Sequence, residues 1–194
     1  MNQKAAAMKR TVAKAFVLMM MALMGLATPL KSQESVTLSA GVGFPEMFHL
    51  KLQIPVAEQL QLGAFYGNGL GMAYVQADDG TKEKAKAYAL GFAAFYHFGG
   101  QSAHTPNKPW YLRAGLNYVH FDDPESISNY TIADLRLGRV FNLAPRFGLE
   151  FDAGLTNLLS HNYQTKPGAP PQGLPVVVEN KLLPAFGLRF FYRI

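Results

Sequence analysis

The chain has no cysteine, which excludes disulfides, thiolate metal sites and a lipid-modified N-terminal cysteine. It also has no Asp or Glu in its first 32 residues, a stretch that holds Lys4, Lys9, Arg10, Lys14 and Lys31. Those five account for the whole formal excess of +5; the rest carries 13 basic against 13 acidic residues. A nucleic-acid-binding function therefore loses its electrostatic basis. After residue 32 there is no apolar run approaching the roughly 20 residues of a membrane-crossing helix. With 49% hydrophobic residues, composition alone does not separate a soluble from a membrane protein.

What is present begins with a leader. Lys4, Lys9, Arg10 and Lys14 precede an apolar segment, Ala15 to Ala27. Such a segment is short for a spanning helix and suited to an export signal. Gly25 and Ala27 offer a small-x-small cleavage site, and a cut as late as Ser32 also fits. The expected organisation is a cleaved signal at 1–32, cut between about 27 and 32, and one domain at 33–194.

The last residues, Pro184 to Ile194, set the pattern for the domain. Phe186, Leu188, Phe190, Tyr192 and Ile194 share one parity, and Gly187, Arg189, Phe191 and Arg193 the other. A period of two puts the sets on opposite faces of a strand. The same alternation recurs at 35–44, 47–54, 60–74, 84–98, 110–121, 130–142 and 147–157. In each, one parity is Leu, Phe, Tyr, Val or Ile, and the other is mostly Gly, Ala and Ser with a few charges. Eight strands follow. The connections at 55–59, 99–109 and 143–146 lie on one side, and the polar loops 77–83, 122–129 and 158–183 on the other. A soluble barrel would turn its apolar parity inward and show water a face rich in Lys, Glu and Thr. Small residues instead suit the inside of a narrow barrel.

The closing strand and the alternation of short turns with longer polar loops resemble the outer-membrane β-barrel family, of the OmpA transmembrane domain and OmpX kind. The resemblance implies an all-β fold, an eight-stranded antiparallel up-and-down transmembrane β-barrel. It further implies a monomer in the outer membrane of a Gram-negative bacterium, with both barrel ends in the periplasm. Outer-membrane lipid would surround it, and the barrel assembly machinery would engage the C-terminal strand. Aromatics stand where interface girdles belong: Tyr96, Phe98, Trp110, Phe141, Phe147 and Tyr192 at the periplasmic rim. Phe44, Phe48, Tyr88, Tyr118 and Tyr130 would form the outer rim. Arg139 breaks the pattern, lying on the apolar parity with Leu135, Leu137 and Phe141, and is read as snorkelling to the headgroups.

The inward parity carries His49, Lys51, Arg113, Asp134, Arg136, Glu150, Asp152, Arg189 and Arg193. Counted from the strand ends, Lys51, Arg113, Glu150, His49, Asp152 and Arg189 fall in one layer, with Arg136 a little higher. Glu150 or Asp152 should reach Arg189, and Arg136 should face the same acids. Ions in a narrow lumen must be paired, so a salt-bridge plug is expected. The expected role is structural or surface-interacting, in adhesion or envelope integrity. The alternatives are a lipid-modifying envelope enzyme (deacylase or acyltransferase type) and a minor ion or small-solute channel. For the enzyme the sequence offers Ser160-His161-Asn162, and Ser126, Ser128 and Asn129 near His120. The His-x-Ser-Asn motif of lipid A-modifying barrels is unmatched, since Ser126 stands where His is required. No catalytic set, cofactor or metal site is indicated, and His97 and His104 lack ligand spacing. An extracellular ligand, if there is one, is expected at loop 158–183, through Tyr163, Lys166 and the apolar run Val176, Val177 and Val178.

Overall fold

Each strand segment has one apolar and one small or charged parity, so it can satisfy only one environment per face. The computed structural model describes residues 36–69, 74–76, 82–84, 86–102, 104–105, 107–167 and 182–194. The expected signal at 1–32, together with Val176, Val177 and Val178, lies outside them. The strands are β1 (Thr37–Phe44), β2 (Met47–Ala57), β3 (Leu60–Asn68), β4 (Tyr74–Gln76), β5 (Lys82–Lys84), β6 (Lys86–Phe98), β7 (Trp110–Asp122), β8 (Ser126–Asn142), β9 (Phe147–Thr165) and β10 (Leu182–Arg193). Eight of them close in the order β1-β10-β9-β8-β7-β6-β3-β2, and β4 and β5 pair as a separate two-stranded sheet. Every neighbouring pair is antiparallel, including the β1–β10 seam from Thr37↔Arg193 to Phe44↔Phe186. The fold is an all-β, closed, eight-stranded antiparallel barrel.

Its polarity is inverted relative to a protein folded in water. Phe190 is 66% exposed while its neighbour Arg189 is 0% exposed; Leu50 and Lys51 stand at 58% and 2%. On β9 the outward set Phe147, Leu149, Phe151, Ala153 and Leu155 is uninterrupted. At a rise of about 3.3 Å per residue and a tilt near 40°, those nine positions cover roughly 23 Å of height. That matches the apolar band of a barrel in a bilayer. No helix among the described residues is long and apolar enough to cross a membrane. We call the end where β1 starts and β10 finishes the lower rim, and the opposite end the upper.

The wall is uneven at the top. β1 has 8 residues, whereas β8 has 17 and β9 has 19. β9 pairs with β10 only as far as Asn157↔Leu182, but with β8 up to Thr165↔Ser126. A bulge lies between Thr131 and Ile132.

Several sequence boundaries move as a result. The polar loop expected at 122–129 shrinks to 123–125, because Ser126 to Asn129 pair with Asn162 to Thr165. The loop expected at 158–183 loses its first eight residues to β9. The third strand stops at Asn68, and Tyr74 and Lys82–Lys84 join the small hairpin instead. β2 continues through Pro55 to Ala57, with an irregularity in its pairing to β3 there. Tyr130 is not in the outer girdle: it faces inward and packs against the buried cluster of Ala89, Val119 and Ile132.

Candidate functional site

Alternation aims the charges of five strands and one turn into the barrel, where water is scarce and each must find a partner. Arg113 on β7 and Arg136 on β8 are directly opposite each other. Two guanidiniums at that spacing repel unless carboxylates lie between them. Glu46 provides one: its Oε1 accepts from Arg113 Nη2 at 2.5 Å and from Arg136 Nη2 at 2.7 Å. Asp134 provides another, with Oδ1 3.3 Å from Arg113 Nε and 2.9 Å from Arg136 Nε. Those two contacts are at ion-pair distance but off the hydrogen-bonding angle. Asn117 donates to the other oxygen of Asp134 at 2.6 Å.

Asp152 joins this upper half to a lower one. It accepts from Arg136 Nη1 at 3.3 Å, from Arg189 Nη1 at 3.0 Å and from the Tyr111 hydroxyl at 3.0 Å. Arg189 Nη2 also contacts it. Arg189 Nε lies 3.4 Å from Glu150 Oε2, the same oxygen that pairs with Lys51. Rings complete the shell. Lys51 Nζ lies 4.8 Å from the Phe95 centroid, and the Arg113 guanidinium 5.3 Å from that of Phe65. Glycines make room: a Cβ at Gly187 would stand 2.7 Å from both terminal nitrogens of Arg189. Gly138 lies beneath the ring of Tyr111 in the same way.

Seven of the nine inward charged residues expected from the sequence, Lys51, Arg113, Asp134, Arg136, Glu150, Asp152 and Arg189, thus form one buried network. His49 is buried beside them without an ion pair; its Nδ1 donates to the Met47 carbonyl at 3.0 Å. Arg193 sits near the lower rim and donates to Asn142 and to the Pro145 carbonyl. A cavity of about 10 Å³ lies there, lined by His97, Glu150, Asn142 and Arg193 among others. That is room for about one water.

Glu46 was missed in the sequence because it occupies the β1–β2 turn, where side chains usually meet solvent. Met47 beside it has φ 60°, in the left-handed region rare for non-glycine residues. The turn folds over the lumen and its carboxylate points down. The signal lay in the arithmetic: leaving aside Arg193 at the lower rim, four inward cations, Lys51, Arg113, Arg136 and Arg189, stood against three inward acids. A fourth acid was required.

The upper extension carries the remaining candidates. Tyr163 is part of β9, not a loop, and stands opposite Ser128. His161 stacks on Tyr130, with centroids 4.5 Å apart and planes within 3°. Lys166 follows the strand and donates to Asp122 at 2.7 Å and to the Asp123 carbonyl. That hydrogen bond holds the Asp122 carboxyl below its ordinary value. On the outer face, His120 and the Tyr118 hydroxyl both bond Asn129 Oδ1, at 2.7 and 2.6 Å. No histidine bonds a serine hydroxyl among the described residues, and no group of carboxylates and histidines there has metal-holding geometry. Asp134, Glu150 and Asp152 are taken up by guanidinium and ammonium groups.

No family model and no curated protein matches the chain. Among solved structures it is similar to the N-terminal β-barrel domain of Pseudomonas aeruginosa OprF. The identity is 14% and the TM-score 0.46, over 84% of this chain and 100% of that one. It is also similar to a major outer membrane protein from Thermus thermophilus, at 17% identity and a TM-score of 0.45, over 82% of this chain and 99% of that one.

Proposed function

We propose that the protein is a monomeric outer-membrane barrel of a Gram-negative cell, with a structural role in the envelope and an interior plugged by its own ions. The observation that carries this is the inversion of polarity. Lipid-compatible side chains cover the outside, while four cations and four carboxylates, all 5% exposed or less, neutralise one another inside. Only a barrel in hydrocarbon leaves no open edge and keeps its apolar face outward. A lumen filled by paired guanidiniums leaves no aqueous path of solute width. The wall above the membrane, β8 and β9 with Tyr163 and Lys166, is the surface that meets an extracellular ligand.

Fractionation and conductance test this together. The mature protein should sediment with outer membranes and migrate faster unheated than heated, as closed barrels resist detergent. In planar bilayers it should give no sustained conductance. Recovery as a soluble periplasmic protein would refute the membrane assignment, and steady ohmic channels would refute the plug.

A further inference from the structure

One charge lies on the wrong side of the wall. Arg139 is outward and exposed on β8, on the face that carries Leu135 and Leu137 above it and Phe141 below. Its guanidinium lies 5.1 Å from the Trp110 ring and 5.0 Å from the Phe141 ring. Trp110 is its cross-strand partner on β7, and Phe141 is two residues closer to the lower rim. The side chain therefore leans toward that rim and away from the middle of the apolar band. Phe151, its partner on β9, closes the other flank.

Neither donor on this rung has an acceptor. Arg139 makes no ion pair or hydrogen bond among the described residues, and the Trp110 indole N–H makes none either. The outward neighbours, Tyr96 and Phe98 on β6, Leu112 and Leu137 above, and Leu149 and Phe151 on β9, include no carboxylate. A guanidinium at the edge of hydrocarbon needs counter-charge and acceptor oxygens. Ring faces give it a cation–π contact but no acceptor. Up to five guanidinium N–H groups and one indole N–H thus stand on one rung near the lower rim without a partner among the described residues.

We propose that Arg139, Trp110 and Phe141 form a site for the phosphate of a phospholipid in the leaflet at the lower rim. The guanidinium fork receives two phosphate oxygens, as its planar geometry favours. The indole donates to the same headgroup, and the acyl chains lie along Leu137 and Phe151. The proposal rests on the membrane assignment above.

Trp110 is the only tryptophan in the chain, so its fluorescence reports from inside the site. Folded protein in a phosphate-free glycoside detergent is titrated with dihexanoyl phosphatidylglycerol, with dihexanoyl glycerol and with inorganic phosphate. Wild type should give a saturable change in Trp110 emission with the phospholipid alone. Arg139→Gln should weaken the midpoint about five-fold, the effect of one basic group at a lipid surface. Arg139→Lys should fall between them, and it carries the comparison should the glutamine variant not fold. An unchanged midpoint in whichever variant folds would overturn the site. So would an equal response to dihexanoyl glycerol, which would make the contact purely apolar. An equal response to inorganic phosphate would overturn the lipid assignment in favour of an adventitious ion only. A wild-type protein without heat-modifiable migration would instead remove the membrane assignment, and this site with it, a failure read from the gel alone.

Discussion

Glu46 should be a costly carboxylate to remove, although it sits in a two-residue turn. Its Oε1 is shared by Arg113 and Arg136 at 2.5 and 2.7 Å. In Glu46→Ala those two guanidiniums face each other across the β7–β8 ladder with only Asp134 and Asp152 to hold them. The interior goes from four cations and four carboxylates to four and three. Stranding buried charge in this way costs roughly 3–5 kcal/mol. With a urea slope of about 2 kcal/mol per molar, the unfolding midpoint in vesicles should fall by roughly 1.5–2.5 M. Glu46→Gln keeps an acceptor oxygen but no charge, and should lose about 2 kcal/mol. Deleting a cation as well should restore part of the loss. Glu46→Ala with Arg136→Met should be more stable than the sum of the single variants by at least about 1 kcal/mol. A wild-type midpoint in Glu46→Ala, or a double variant additive within about 0.5 kcal/mol, would refute the shared pairing.

Three further outcomes are expected. Phe190→Ala, on a residue 66% exposed to the outside, should cost far less than Arg189→Leu, because lipid fills the space one leaves while Asp152 loses its partner in the other; equal urea midpoints would invert the face assignment. Asp122 should titrate below its ordinary 3.8 in the wild-type protein and near it in Lys166→Ala, followed by carboxyl NMR. Because its pKa is depressed on folding, its contribution is present above about pH 3.8 and is lost as pH falls through the lower folded value; with both side chains about one-third exposed, that contribution is small. Replacing 168–181 with a four-residue turn, sparing β9, should leave a barrel that still migrates as folded, at a cost of order 1 kcal/mol; loss of the heat-modifiable gel shift would refute it.

The barrel was legible in the sequence where hydrocarbon imposes an alternation. Across Phe147–Leu155 and Phe186–Ile194 one face must be apolar, so the period of two is unmistakable. Toward the upper rim that constraint lapses. Ser126-Ile127-Ser128-Asn129 and Asn162-Tyr163-Gln164-Thr165 have polar residues on both faces and read as loops, yet they pair with one another. The lumen residues were legible as a parity class, since buried charges on a barrel interior have few places to go. Which acid meets which base was not, because stagger between strands shifts heights by several residues. Glu46 eluded the alternation entirely, for it belongs to no strand. Arg139 stood out in the sequence as an exception, but its lack of any protein acceptor among the described residues emerges only in three dimensions.

The balance of charge inside the barrel has a consequence for electrical behaviour. Within the paired network, and apart from Arg193 at the lower rim, Lys51, Arg113, Arg136 and Arg189 against Glu46, Asp134, Glu150 and Asp152 sum to zero. A voltage across the membrane does work only on net charge that it can displace, about 2.3 kcal/mol per elementary charge per 100 mV. Moved as a unit, this network offers the field nothing to grip. In Glu46→Ala the same network carries one uncompensated positive charge. An applied potential would then pull on the interior in a direction set by its sign.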